Sequence, residues 1–175
     1  MKKLLLSIAM SAFIFTVNAQ TFGVKAGLNF SNVDAEVTGF GSGSPDGMTG
    51  FFIGGTVDFT ISDKFHIQPE LQYSIEGAKD ADLNLINVPI MAKFYVAEGF
   101  NIQAGPQIGF IVDAEGGTEG LKTTNFGLNL GLGYDLAETG LFFDARYNLG
   151  LSDVTEVAGV EIKTKTFQIG IGYKF

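Results

Sequence analysis

The chain has 175 residues, enough for one domain, and its 46% hydrophobic and 17% charged residues exclude a disordered polar chain. It has no Cys and a single His, His66, which excludes disulfides, thiolate metal sites and a Cys nucleophile and opposes a His-rich metal centre. The net charge of −8 opposes a nucleic-acid partner, because such a partner requires a basic protein face.

Residues 1–19 are typical of a cleaved signal peptide. Two lysines precede a run of 14 apolar residues, and the small residue Ala19 stands before the expected cut at Gln20. As a helix that run is only about 21 Å long, shorter than the ~30 Å hydrocarbon core of a bilayer, so an uncleaved anchor is the weaker alternative. We therefore expect a signal peptide over residues 1–19 and one domain over residues 20–175.

Beyond Gln20, eight segments alternate apolar and polar residues with the period of two that indicates β-strands. We predict strands near residues 22–30, 50–61, 64–75, 85–96, 100–112, 125–136, 140–151 and 164–175. The connections alternate between long ones, over residues 32–49, 76–84, 113–124 and 152–163, and short ones, over residues 62–63, 97–99 and 137–139. This order predicts an all-β, eight-stranded antiparallel up-and-down transmembrane barrel, with the short turns and both termini in the periplasm.

Two features indicate that the apolar face of the strands contacts lipid rather than a protein core. Strands of about eleven residues tilted by ~45° cover the ~25 Å apolar band of a membrane barrel. Aromatic residues on the apolar face also fall into two rings, as in the girdles of membrane barrels, whereas a soluble lipocalin-like barrel, the alternative, has no reason to sort them. The rings comprise Phe22, Phe59, Phe65, Phe94, Phe100, Tyr134, Phe143 and Tyr173 near the short turns, and Phe30, Phe51, Tyr73, Phe110, Phe126, Tyr147 and Phe167 near the long loops.

The polar face then lines a lumen about as wide as its own side chains, so we expect a plugged polar interior without an open channel. Its charges sum to zero, as enclosed charges must pair, and we expect Glu70, Lys93, Asp144 and Arg146 to pair across neighbouring strands. Bulky inward residues should face glycines. The predicted lumenal network comprises Lys25, Asp58, Glu70, Lys93, Asp135, Asp144, Arg146 and Lys174.

Three prolines, Pro69, Pro89 and Pro106, lie inside predicted strands. Proline has no N–H to donate, and a closed barrel has no free edge at which a missing donor is harmless. We expect each proline to mark a bulge or a break in the strand pairing.

The segments FGVKAGLNFS, QPELQYS, INVPIMAKFYV, IQAGPQIGF and FQIGIGYKF resemble the small outer membrane β-barrel domain of Bacteroidetes that is often labelled PorT-like. The resemblance covers essentially the whole chain after residue 19 and implies an eight-stranded outer membrane barrel. Some members of that family relate to protein secretion, and the resemblance supplies no active-site residues. The last strand also resembles the signal read by the barrel-insertion machinery, here Ile169, Ile171, Tyr173 and the terminal Phe175.

We therefore expect a non-enzymatic integral outer membrane protein without a cofactor, surrounded by outer membrane lipid and lipopolysaccharide, whose loops bind a partner or support the envelope. The long connections are rich in acids, which would gather divalent cations or merely keep the loops soluble; none has the spacing of a dedicated calcium loop. An enzyme is the weaker alternative, because His66 and Ser74 stand far apart on one strand and Asp144 with Arg146 fits an ion pair better than a catalytic pair. A pore and a component or assembly aid of a secretion system stay open as alternatives.

Overall fold

The computed structural model describes residues 20–37, 41–43, 46–79, 81–136, 138–155 and 159–175. Over these ranges eight long strands close into an antiparallel barrel, and a further strand of three residues pairs antiparallel with the end of the first. No helix in them is long and apolar enough to cross a membrane. The strands are β1 (Gln20–Val37), β2 (Gly41–Gly43), β3 (Met48–Ser62), β4 (Phe65–Ala78), β5 (Ala81–Tyr95), β6 (Phe100–Ala114), β7 (Thr124–Leu136), β8 (Leu141–Gly150) and β9 (Val160–Lys174).

The barrel closes through a ladder between the first and the last strand. This β1–β9 ladder runs from Gly23 opposite Lys174 to Val37 opposite Val160. A closed sheet leaves no edge of unpaired backbone groups, which is the condition for strands in a hydrocarbon environment. The predicted fold class is confirmed. Gln20 begins β1, whereas the predicted signal peptide and Ala19 lie outside the described residues.

Side chains alternate between the lumen and the exterior along each strand, and the apolar set faces outward. In β6, for example, the buried Asn101 and Gln103 flank the exposed Ile102. The aromatic residues of both predicted rings are exposed or half-buried on the outer surface, whereas Phe52 and Phe142 lie buried in the lumen. A soluble lipocalin-like barrel has the opposite arrangement, so that alternative is wrong.

The barrel has a turn end, with the short connections over residues 63–64, 96–99 and 137–140, and an opposite loop end. The prediction of a long connection over residues 76–84 is wrong. The β4–β5 ladder continues as far as Ala78 opposite Ala81, so only residues 79 and 80 join the two strands. The acids in this stretch are compatible with strand because Glu76 faces a polar lumen and continues the alternation of β4.

Each in-strand proline lies beside a gap of two residue pairs in the ladder to the preceding strand, while its pairing with the following strand is present. The gaps lie between β3 and β4 at Pro69, between β4 and β5 at Pro89, and between β5 and β6 at Pro106. The register is the same on both sides of each gap, so these are breaks and not bulges. The missing proline N–H is the physical cause.

Candidate functional site

Four charged side chains meet in the middle of the lumen, and we call them the central quartet: Lys25, Glu70, Asp144 and Arg146. Arg146 of β8 donates two hydrogen bonds, of 2.8 and 2.7 Å, to the carboxylate of Glu70 on β4. Lys25 Nζ lies 2.6 Å from Asp144 Oδ2, and Arg146 Nη2 lies 3.3 Å from the same oxygen. All four residues are buried, and their formal charges cancel.

The expectation that these charges pair across neighbouring strands is wrong. β4 and β8 stand four strands apart in the closed barrel, so the Glu70–Arg146 pair spans its diameter. Lys93 forms its ion pairs with Asp58 and Asp135 instead, at 3.6 and 3.4 Å. In a lumen this narrow, long side chains reach the opposite wall before they reach a strand neighbour of suitable charge.

Glycines make room for the largest lumenal side chains, as the sequence predicts. A Cβ on Gly131, which pairs with Arg146, would lie 2.8 Å from the Arg146 Cγ. A Cβ on Gly172 would lie 2.2 Å from the ring of Phe142. These contacts are too short for any side chain larger than hydrogen. The lumen is therefore filled by the side chains of Arg146 and Phe142 at these two positions.

The other four predicted charges form a second group nearer the turn end. Lys174 Nζ lies 2.8 Å from Asp58 and 2.6 Å from Asp135. His66 Nδ1 lies 2.7 Å from the second oxygen of Asp58. This group borders a cavity of about 440 Å³ that opens at the turn end and is lined in part by Thr21, Asp63, His66, Tyr95, Asp135 and Lys174.

Glu76 is a ninth lumenal charge, which the sequence pattern assigned to a connection. Its carboxylate accepts hydrogen bonds from Ser74 Oγ (2.7 Å), Asn87 Nδ2 (2.8 Å) and Thr166 Oγ1 (2.7 Å). The side chain is 2% exposed. Its position could have been found from the sequence, since Gln72, Ser74 and Glu76 continue one face of the same strand.

An apolar cap closes the lumen at the loop end. It consists of Leu83, Leu85, Ile111, Ala114 and Val154, with Leu121 and Ile162 packed against it. The connections after β6 and β8 supply Leu121 and Val154, and they are joined to each other, because the Lys122 N–H donates to the Val154 carbonyl at 2.9 Å. The lumen is therefore polar along most of its length but apolar at one end.

Asp153 holds the cap connections in place. Its Oδ1 accepts the backbone N–H of Ile162 at 2.8 Å and that of Thr155 at 3.1 Å, and its Oδ2 lies 2.9 Å from Lys122 Nζ. The Ile162 N–H first, and then the Lys122 ammonium and the Thr155 N–H, lower the pKa of Asp153 to about 2. One carboxylate thus fastens two connections and the start of β9.

The residues that an enzyme would need are far apart. His66 bonds Asp58 near the turn end, whereas Ser74 lies eight residues further along β4, about 26 Å away, where it bonds Glu76. Asp144 and Arg146 belong to the buried central quartet. Across the described ranges, no group of three or more His, Cys, Asp and Glu side chains could hold a metal ion.

The predicted insertion signal occupies the end of β9. Ile169, Ile171 and Tyr173 are exposed on the outer surface, and Phe175 is 74% exposed just beyond the strand. The Phe175 N–H donates to the Phe22 carbonyl at 2.8 Å, so the backbone pairing continues to this residue.

Comparisons with known proteins agree with this architecture. Residues 4–175 match the family model described as outer membrane protein beta-barrel domain. The structure is similar to that of Ail, the attachment invasion locus protein of Yersinia pestis, with 14% identity and a TM-score of 0.52, over 90% of this chain and 99% of that chain. It is also similar to Neisserial surface protein A, with 16% identity and a TM-score of 0.53, over 88% of this chain and 97% of that chain. At these identities the likeness shows the fold alone. No curated protein matches the sequence.

Proposed function

Because this chain belongs to the outer membrane protein beta-barrel domain family, we propose that it is a non-enzymatic integral outer membrane protein that acts through its loop end. The observation that carries the proposal is the double closure of the lumen. The central quartet blocks its middle and the apolar cap blocks its loop end. A barrel closed at two levels offers solutes no path through the lumen. We therefore place the function at the exposed loop end.

A conductance experiment tests the closed lumen. The refolded barrel is expected to produce no unitary current steps in a planar lipid bilayer. Arg146→Ala is the matched variant, because it opens space in the central quartet and leaves the apolar cap intact. Current steps in the unaltered protein that persist in Arg146→Ala would show that the protein is a pore.

We further propose that the turn end, with the beginning of β1 and the end of β9, lies in the periplasm. The support is the up-and-down order with short turns at that end. The absence of Cys from the chain permits a clean test with single cysteines at exposed positions. In intact cells a membrane-impermeant maleimide is expected to label Thr118→Cys at the loop end, and to label Glu98→Cys at the turn end only after permeabilisation. The reverse pattern contradicts the orientation.

The proposed partner of the loop end is lipopolysaccharide, reached through divalent cations. The connections after β6 and β8 hold four acids and one base, and such carboxylates share Mg²⁺ with anionic headgroups. In lipopolysaccharide-containing bilayers we expect Mg²⁺ to raise the melting temperature of the barrel, and Glu115→Lys/Glu119→Lys to abolish that rise. The turn-end control Glu98→Lys/Glu138→Lys should keep it. An equal response in both double variants contradicts a Mg²⁺ bridge between the loop carboxylates and lipopolysaccharide, and would favour a protein as the partner of the loop end.

A second candidate is a component or assembly aid of a secretion system. It rests on the resemblance of INVPIMAKFYV and IQAGPQIGF to the PorT-like domains of Bacteroidetes. Cross-linking in native membranes separates the two roles, because only the second one predicts recovery of other secretion components with the barrel.

A further inference from the structure

Glu76 is a buried carboxylate whose hydrogen-bonding partners are all neutral. Ser74, Asn87 and Thr166 donate to it at 2.7 to 2.8 Å. Among the residues that the structure describes, no Lys, Arg or His nitrogen lies within 4.0 Å of its oxygens. Three neutral dipoles stabilise a carboxylate but leave its full charge in an enclosed space, which is costly unless a positive charge accompanies it.

The protein's own lumenal cations are engaged elsewhere. Lys25 and Arg146 are held within the central quartet, by Glu70 and Asp144. Lys93 and Lys174 are held nearer the turn end by Asp58 and Asp135. The eight charges of these two groups cancel, and among the described lumenal residues no further Lys or Arg balances the negative charge that Glu76 adds.

The surroundings of Glu76 are rich in oxygen atoms that suit a small hard cation. Ser31 Oγ lies 3.2 Å from Thr166 Oγ1, and the two hydroxyls have lone pairs that can turn toward a cation. The Oδ1 of Asn87 is buried without a hydrogen-bond partner, on the amide whose nitrogen already bonds Glu76. Carboxylate, hydroxyl and amide oxygens are the ligand types that hard cations bind.

This layer is held rigidly and shielded from solvent. Asn29 Nδ2 donates to Ser74 Oγ at 2.8 Å and to the Ile75 carbonyl at 2.9 Å, and Gln168 fixes the Asn29 oxygen at 2.9 Å. The apolar cap lies beyond it toward the loop end, where Leu85 stands two residues from Asn87 on the lumenal face of β5. A cation held here would therefore meet protein oxygens with little competition from bulk water.

We propose that Glu76, together with Ser31, Ser74, Asn87 and Thr166, binds a sodium ion inside the barrel. One carboxylate neutralises one monovalent ion, whereas a divalent ion would leave a net positive charge in the same enclosed space. The ion links β1, β4, β5 and β9 beneath the apolar cap. It is an internal structural ligand, independent of the proposed loop-end function.

The test compares melting of the full barrel in detergent at pH 7.5 in sodium chloride and in choline chloride of equal ionic strength. Loss of the heat-modifiable gel shift measures the melting temperature. Sodium is expected to raise the melting temperature by about 3–6 °C for each tenfold increase in sodium concentration above the Kd. Glu76→Gln, which keeps the side-chain size and removes the charge, should melt at the same temperature in both salts.

Glu98→Gln is the matched control, because it makes the same chemical change at an exposed turn-end position, away from the proposed site and the apolar cap, and should keep the full sodium response. Equal melting of the unaltered protein in both salts would show that no sodium ion stabilises the barrel, which overturns the proposal. An equal sodium response in Glu76→Gln would also overturn it, by placing the ion elsewhere. If Glu76→Gln does not fold, ²³Na relaxation decides: broadening by the unaltered barrel must weaken in Thr166→Val, and unchanged broadening contradicts the site.

Discussion

Arg146 and Glu70 join opposite walls of the barrel through two parallel hydrogen bonds of 2.8 and 2.7 Å. Gln68 and Gln72 also donate to the same carboxylate, the latter at 2.5 Å. Every partner in this arrangement is buried. A bidentate guanidinium–carboxylate pair is both directional and strong, so it fixes the distance between two walls that no backbone hydrogen bond connects.

We expect Arg146→Leu to destabilise the barrel by about 3–5 kcal/mol, because the buried Glu70 and Asp144 carboxylates would then share the single cation Lys25, which lies 3.6 Å from Glu70 and 2.6 Å from Asp144. The temperature at which the heat-modifiable gel shift is lost measures the effect. Glu70→Leu/Arg146→Leu is the matched control: it removes both charges and should recover much of the loss. If Arg146→Leu melts at the original temperature, the guanidinium is hydrated and does not bind Glu70 in solution.

The predicted packing of glycines against large lumenal side chains can be tested at Gly172. Besides meeting the Phe142 ring, a Cβ on Gly172 would lie 2.7 Å from the Val24 carbonyl oxygen, so the backbone itself would have to move. We expect Gly172→Ala to cost about 1–3 kcal/mol in denaturant titrations of the refolded barrel. The lipid-facing Gly55 provides the control, because its Cβ would approach nothing closer than 3.9 Å. Equal stability of the two variants would mean that Phe142 does not pack tightly against Gly172 in solution.

The sequence predicts which residues face the lumen, because each lumenal or lipid-facing position obeys a local rule of polarity. Lys25, Asp144 and Arg146 could each be placed inside from the alternation of their own strand. Their partners could not be predicted in the same way. Which charges meet across the lumen depends on strand stagger and on side-chain reach, and neither is a property of one strand.

The local polarity rule also fails at the loop end. Leu83 and Leu85 are apolar yet face inward, because the connections after β6 and β8 cover them and exclude water. Glu76, by contrast, obeys the rule, because it continues the lumenal face of β4 after Gln72 and Ser74. The inward-facing leucines depend on segments that are distant in sequence, so no pattern within a single strand reveals them.

A substitution at the terminal Phe175 tests membrane insertion of the barrel separately from its stability. Its ring is exposed and its contact is with the Tyr173 ring on the outer surface, at 5.5 Å, while its backbone pairing with Phe22 does not need the ring, so Phe175→Ala should melt close to the unaltered barrel in detergent. In cells we expect its amount in the outer membrane to fall, since the substitution removes the aromatic ring that ends the proposed insertion signal. Leu151→Ala, at a site that is 62% exposed and outside the last strand, controls for lost apolar surface. Equal amounts of both variants in the membrane would contradict the proposed signal.

Asp153 makes the closure of the apolar cap depend on pH in the acidic range. Its pKa in the folded protein, about 2, lies below the ~3.9 of a free aspartate, so the carboxylate stabilises the cap fully above about pH 4. That stabilisation declines as pH falls from about 4 towards 2 and is lost below the folded pKa. The carboxyl carbon shift of Asp153 should therefore titrate with a midpoint near 2 in NMR spectra of the barrel in detergent.

Asp153→Asn should reproduce the acidic state at neutral pH, since an amide binds the Ile162 and Thr155 N–H groups more weakly than a carboxylate and does not pair with Lys122. We expect faster hydrogen exchange at Ile162, whose N–H bonds the carboxylate directly, and unchanged exchange at Ile102, in the middle of β6 far from the cap. Faster exchange at Ile162 with unchanged exchange at Ile102 would confine the change to the loop end. A midpoint near 3.9, or equal exchange rates at Ile162 in the variant and the unaltered protein, would mean that these hydrogen bonds do not hold the connections in solution.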